Sequence, residues 1–258
     1  MPRTRIAKGT KRLCSLLLLA AAGFGAQAGP VIRAFNYYLE PPFVMAQGGL
    51  ASDLVDYLNT RLEGEYRLQL VNEPHARLTR ARLDRPEAFI GVLLFVHPRF
   101  VDDPNQTRFL WTPGMFKDSA VLVFPGTTPP VVKDFSALTG KLLGGIQEHR
   151  YKGLDDMVAN GTLRRLDALS ESVNLRLLEK GRIDFTLMGA STFNALREEL
   201  PSSTPLVSVA VPGEQSFQRH ILVGSNQREL AARLSRIVSG MATDPAWRAI
   251  AQRYQLPR

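Results

Sequence analysis

The chain has 258 residues, 45% of them hydrophobic, with 32 Lys+Arg against 24 Asp+Glu for a formal charge of +8, and a single cysteine. One cysteine excludes an internal disulfide framework and a metal centre built on cysteine pairs. Five of the basic residues lie in the first twelve positions, so the charge is local and does not form the concentrated basic face that nucleic-acid binding needs.

Those five, Arg3, Arg5, Lys8, Lys11 and Arg12, precede an apolar stretch from Leu13 to Phe24, and Ala26-Gln27-Ala28 follows it. A basic segment, a short apolar run and a small-x-small end predict a cleavable secretory signal peptide over residues 1–28 and a periplasmic destination. The run is shorter than the about 20 residues of a spanning helix. Cys14 stands at the start of the run, where a lipidated cysteine would stand at its end. Removing residues 1–28 leaves 27 Lys+Arg against 24 Asp+Glu, a formal charge of +3, and no cysteine. The remaining 230 residues suffice for one large core or two smaller ones.

From there the pattern alternates β-like runs with amphipathic helices, which predicts an α/β protein. Val31–Tyr37 reads as a strand, and the two prolines of Leu39-Glu40-Pro41-Pro42-Phe43 end it in a loop. Leu50, Leu54, Leu58 and Leu62, with Val55 beside them, mark one face of a helix. Tyr66, Leu68 and Leu70 alternate as in a strand, a helix is expected over His75–Leu83, and Phe89–Val96 reads as a strand buried on both faces. Ala120–Phe124 and Lys141–Ile146 are short strands, separated by the loop signal Pro125-Gly126-Thr127-Thr128-Pro129-Pro130. A helix over Tyr151–Asn160 is closed by Gly161, and a further one over Ser172–Glu179 stops at Gly181. Ile183–Met188, Leu206–Val211 and His220–Val223 are extended, and Gln227–Met241 and Pro245–Arg253 are helical, the last with Asp244 as its cap and Pro245 at its first position. This order predicts one unit to about residue 118, a second to about 216 and a C-terminal return: residues 29–118 with 217–258, and residues 119–216.

Several local patterns, in this order, resemble the extracellular solute-binding proteins of family 3, the amino-acid-binding type of periplasmic protein. They are Tyr38 to Phe43 with its Pro41-Pro42-Phe43, the helix Gly49 to Leu62, Trp111-Thr112-Pro113, the opening Leu138-Thr139-Gly140-Lys141-Leu142-Leu143-Gly144-Gly145-Ile146, the segment Leu178-Glu179-Lys180-Gly181-Arg182-Ile183-Asp184, and the end Trp247 to Leu256. The resemblance covers nearly all of the chain after residue 28, and its weight lies in the colinearity of the patterns. It implies a two-lobed periplasmic-binding-protein-like fold of type II, each lobe a sheet flanked by helices, with two crossings as a hinge and a ligand held in the cleft between. It also implies a monomer without cofactor that binds a small-molecule solute for a membrane permease or a sensor.

The pattern departs from that family in its binding residues. Members that bind free amino acids grip the carboxylate with an arginine in a Thr-Pro-x-Arg segment; here His97-Pro98-Arg99 stands near that place, with Thr107-Arg108 as the rival position. The acid that would take the ammonium, five residues after Asp184, is Gly189. In the second lobe, Gln147-Glu148-His149-Arg150-Tyr151 replaces the family's Gly-Thr loop. An unpaired ammonium in a closed cleft is costly, so these departures favour a polar or anionic solute over a plain α-amino acid. The candidate ligand residues are Tyr38, Glu40, Arg77, His97, Arg99, Arg108, Glu148, His149, Arg150 and Tyr151. The competing readings are an enzyme on the same scaffold, with Glu40, His97, Glu148 and His149 as acid–base groups, and a degenerate lobe pair that presents a surface to a protein partner. No nucleophile elbow, phosphate loop or dinucleotide fingerprint supports the enzyme.

Overall fold

The computed structural model describes residue 1 and residues 29–199, 204–213 and 216–256. The expected signal segment lies outside the described residues beyond Met1. Among the described residues no helix is long and apolar enough to cross a membrane.

Two mixed sheets carry the structure. The first is ordered β2 (Arg67–Asn72), β1 (Val31–Asn36), β3 (Val92–Val96), β11 (Phe217–Val223), β4 (Leu110–Trp111), with β5 (Phe116–Asp118) on the lower part of β11. The β1–β2 and β1–β3 pairs are parallel, and β11 runs antiparallel to β3, β4 and β5. The second sheet is ordered β10 (Leu206–Ala210), β6 (Ala120–Pro125), β9 (Phe185–Gly189), β7 (Leu142–Ile146), β8 (Arg164–Ala168). Its inner strands β7 and β9 are parallel to each other, while β6 runs antiparallel to β9 and to β10. The chain passes between the sheets twice, through Asp118–Ala120 and again before Phe217.

Each sheet has an apolar layer on both faces, as the period of 2 along its strands requires. In β6, Val121 and Val123 join one layer and Leu122 and Phe124 the other. Helix α1 (Leu50–Leu62) buries the predicted stripe of Leu50, Leu54, Val55, Leu58 and Leu62 on the first sheet. The C-terminal helices α6 (Arg228–Gly240) and α7 (Pro245–Arg253) return to the same layer through Leu230, Leu234, Val238 and Trp247. Asp244 caps α7 as expected: one carboxylate oxygen accepts from the Ala246 amide at 2.9 Å, and the other from Tyr57 and Arg61.

One break in the alternation matters for function. In β3, Val92 and Leu94 face the α1 layer and Leu93 faces the opposite one, yet Phe95 joins Leu94 on the α1 side. Phe95 has φ 62, a left-handed conformation that is a true outlier for a bulky residue. It puts two successive side chains on one face, and the pairing of β11 shifts between His220 and Leu222 beside it.

Several expectations are corrected. The helix expected over Tyr151–Asn160 is the shorter α3 (Leu154–Ala159), because Gly153 sits at φ 83 and residues 149–151 form a loop pinned by side chains. The helix over His75–Leu83 is a single turn, α2 (His75–Leu78), continued by a wider π-type turn over Thr79–Leu83. The extended run expected at His220–Val223 begins three residues earlier, at Phe217, where pairing with β5 extends it. Strand β8 and helix α5 (Ala190–Glu199) were not legible: β8 is a mostly exposed edge strand, Arg164-Arg165-Leu166-Asp167-Ala168, held by backbone pairing to β7 rather than by an apolar pattern.

Candidate functional site

In parallel sheets the C-terminal strand ends collect loops and helix N-termini, and ligands bind there. The first sheet presents at this edge Tyr37, Tyr38 and Glu40 after β1, Glu73 and His75 after β2, and His97 and Arg99 after β3. The second presents residues 147–151 after β7, residues 169–172 after β8, and Ser191 after β9. The two edges face each other and meet at three places.

The first contact joins Glu40 to helix α4 (Glu171–Glu179). Ser170 is the N-cap of α4, its hydroxyl accepting from the Val173 amide. The Glu40 carboxylate accepts from the Ser172 hydroxyl at 2.9 Å and from the Ser172 amide at 3.4 Å. A carboxylate at a helix N-terminus meets the positive end of the helix dipole. Helix α4 is aimed at the seam by Asn174, whose Nδ2 donates to the Gly145 carbonyl at 2.9 Å. Gly144 permits that approach, since a Cβ there would collide with Ile183 Cδ1 and lie 2.8 Å from Asn174 Oδ1. Glu171 lies beside Glu40, and burial, then the charge of Glu40, raises its carboxyl above the usual range. Glu40→Ala is expected to weaken this contact between the lobes by about 1 kcal/mol, roughly a fivefold change in its population. Inter-lobe distance measured by fluorescence transfer checks this; an unchanged distribution in both Glu40→Ala and Ser172→Ala denies the contact any role in holding the lobes together.

The second contact is aromatic. The His75 ring packs edge-on against Tyr37 at 4.8 Å and lies 6.1 Å from His149 of the opposite lobe, which in turn packs on Tyr151 at 4.7 Å. Burial lowers the pKa of His75. Burial, then His75 and Arg165, lowers that of His149 to about 4. His149 is nevertheless solvent-accessible as a residue, and that water tempers the shift without reversing it.

The third contact is the buried floor. Arg219 of β11 pairs with Asp118 of β5 at 2.6 Å, with 2% and 0% of the side chains exposed. Arg219 Nη1 also donates to the Phe95 carbonyl at 2.8 Å, the group that the left-handed residue presents. Its guanidinium lies over the rings of Tyr38, Phe43 and Phe217 at 4.4, 4.8 and 5.4 Å. Burial opposes the charge, but Tyr38 and Asp118 outweigh it and raise the pKa further. Asp118 reaches into the second lobe as well, accepting from the Ser191 hydroxyl at 2.6 Å and from the Ser191 amide at 3.2 Å. One ion pair therefore ties both crossings, the first sheet and the start of α5.

The candidates read from sequence divide accordingly. Tyr38, Glu40, His97, Arg99 and His149 stand at the facing edges. Arg77 also follows β2, but it is 78% exposed and pairs with Glu73 at 3.2 Å. Arg108 is bound elsewhere, donating to the carbonyls of Leu83, Val101 and Asp102. Tyr151 is buried; its hydroxyl accepts from the Ile146 amide and helps Arg165, which bonds the Ile146 and His149 carbonyls, to hold the loop. Glu148 and Arg150 are exposed on that loop, Glu148 at φ 61. His75, Asp118, Ser172, Ser191 and Arg219 belong to the seam and were not singled out, nor was His220 beside His97; Tyr37 stands at the seam next to Tyr38. The available signal was a charge inside short apolar runs, Asp118 after Met115-Phe116 and Arg219 before Ile221-Leu222-Val223. A groove of about 460 Å³ between α1 and the edge strand β2 lies apart from this site. There Asn59 already satisfies both backbone groups of Leu68.

No protein-family model matches the chain, and no curated protein matches it in sequence. Solved structures do match its fold. An ancestral arginine-binding protein bound to arginine aligns with TM-score 0.67 at 14% identity, over 87% of this chain and 97% of that one. A structure from work on glutathione import through GshT and the cystine ABC importer TcyBC of Streptococcus mutans aligns with TM-score 0.70 at 12% identity, over 89% and 98%. A histidine kinase sensor domain with similarity to periplasmic binding proteins aligns with TM-score 0.67 at 14% identity, over 90% and 99%. The fold is that of the two-lobed periplasmic binding proteins.

Proposed function

We propose that this chain is an exported solute-binding protein that takes a small polar or anionic solute between its lobes and closes on it, passing the closed form to an ABC-type importer or a membrane sensor. The observation that carries this reading is the pair of facing C-terminal sheet edges, met across a seam of polar contacts and linked by two crossings that can serve as a hinge. On this reading the lobes are residues 29–118 with 217–258, and 119–216, and the output is closure rather than turnover. The fold's likeness to an arginine-binding protein, to a structure from glutathione-import work and to a sensor domain supports a binding role of this general kind.

The charges favour an anionic or neutral polar group over a free α-ammonium. At Gly189 a Cβ would lie 3.4 Å from Arg219 Nη2 and 3.6 Å from Asp118 Oδ2, so that corner holds a carboxylate already paired with a guanidinium and offers a ligand ammonium no free acid. Arg99, on the turn after β3, makes no side-chain hydrogen bond among the described residues and is exposed, free to take a carboxylate in a bidentate pair. Mass spectrometry of solute carried through purification, followed by thermal shift against amino acids, polyamines and organic anions, tests the reading. A native ligand at 100 times its Kd should add about 2.7 kcal/mol. Arg99→Ala should weaken an anionic ligand by about tenfold or more, the worth of a charge-assisted hydrogen bond. Absence of any stabilising solute across the three classes would sink the proposal.

A further inference from the structure

We propose that His97 and His220 form a specificity-determining subsite of the cleft, one that takes a planar nitrogen heterocycle carrying a carbonyl acceptor beside an N–H donor. The proposal rests on the solute-binding reading and names the solute class within it.

The two imidazoles are held in different states by the backbone. His97 Nδ1 accepts the Arg99 amide at 3.2 Å, capping the turn over Pro98–Val101. A nitrogen that accepts carries no proton, so His97 is neutral and its proton sits on Nε2. His220 Nδ1 lies 2.9 Å from the Thr112 carbonyl oxygen. A carbonyl can only accept, so this Nδ1 carries a proton, and in the tautomer this bond selects the lone pair lies on Nε2. Neither Nε2 has a hydrogen-bond partner among the described residues. Two rings whose centroids are 6.1 Å apart thus offer one donor and one acceptor.

The surroundings suit a flat ligand. Phe100 and Phe217 stand 5.4 and 5.7 Å from the His97 ring and 5.0 Å from each other, and Trp111 meets His220 edge-on at 6.1 Å. Phe100 is 41% exposed, and His97, His220, Phe217 and Trp111 are half-buried. A cluster of rings that is only partly buried, beside a donor–acceptor pair, matches a planar π-system with polar edges. Burial, then His220, Arg99 and Arg219, lowers the pKa of His97 to about 4, which keeps its ring in the required neutral form. Arg99, on the same turn, can serve a carboxylate on the same molecule.

The test compares two planar carboxylates on the unaltered chain by calorimetry. Orotate has an imide edge with a carbonyl beside an N–H, and benzoate has none. Orotate should bind at least about tenfold more tightly, the worth of one or two neutral hydrogen bonds. His97→Leu and His220→Leu should each erase that preference, while His97→Gln, whose amide N–H reaches a similar place, should retain part of it. Equal affinity for the two carboxylates, or a preference that survives both leucine variants, overturns the subsite. If an aliphatic amino acid or organic anion binds and orotate does not, the subsite falls and the solute-binding reading stands. If nothing in the wider solute panel binds, both fall.

Discussion

Arg219→Met is expected to be the most damaging single substitution in the chain, lowering folding stability by about 3–5 kcal/mol. The guanidinium is 2% exposed and its partner Asp118 0% exposed. Methionine fills much of the volume under Tyr38 and Phe43, so the loss is electrostatic rather than a cavity. It strands the Asp118 carboxylate, which among the described residues keeps only the Ser119 and Ser191 donors. It also leaves the Phe95 carbonyl without its Nη1 donor, beside a residue already held at φ 62. Pairing it with Asp118→Asn should recover a large part of the loss, since the neutral amide can still accept from Ser119 and Ser191 without an unpaired charge. For a chain of this size the single variant should melt roughly 10 °C lower or more. Urea unfolding of the single and double variants checks both statements. A loss below about 1 kcal/mol, or a double variant no better than Arg219→Met, would show that the pair is not the keystone of the crossings.

The second large effect is a pH response of the seam. On the solute-binding reading this structure is the closed form; in it His75 and His149 face each other from opposite lobes, and burial depresses both pKa values from 6.5. A histidine with a depressed pKa takes its proton more readily when released to water. The closed form is therefore undisturbed above about pH 6.5 and loses ground as the pH falls from there toward about 4. The groups around the pair are Tyr37 and Tyr151, which are neutral here, Arg165, which opposes protonation of His149, and Asp155, which favours it. Glu171 acts with the opposite sign. Its carboxyl is raised by burial and by Glu40 across the seam, so the closed form holds that proton more tightly and gains as the pH falls through its raised value.

Two histidines against one glutamate leave a net opening in acid. After discounting for the water that reaches His149, the open-to-closed ratio should rise about tenfold between pH 7 and pH 5. Small-angle scattering or inter-lobe fluorescence transfer across that range checks it. Glu171→Gln removes the opposing proton and should steepen the response, while His75→Phe with His149→Phe should flatten it. A double phenylalanine variant that still opens in acid would place the sensor elsewhere.

The local elements were largely legible in the amino-acid sequence because they follow from periodicity and punctuation. The α1 stripe, the two-sided burial of β3, the Asp244 cap and the α/β order are each written within ten or so neighbouring residues, and so is the resemblance that implied two lobes. The places of Tyr38, Glu40 and Arg99 just beyond predicted strands were also legible. The seam was not legible. Glu40 meets Ser172 across 132 positions, Asp118 meets Arg219 across 101, and His75 lies opposite His149. None of these pairs has a local pattern, because a charge buried beside its partner looks, in one dimension, like a charge exposed to water. The same limit separates Arg99 from Arg108. Both are arginines near a strand end, but only the tertiary structure supplies the Leu83, Val101 and Asp102 carbonyls that take up Arg108, and the open turn that leaves Arg99 free.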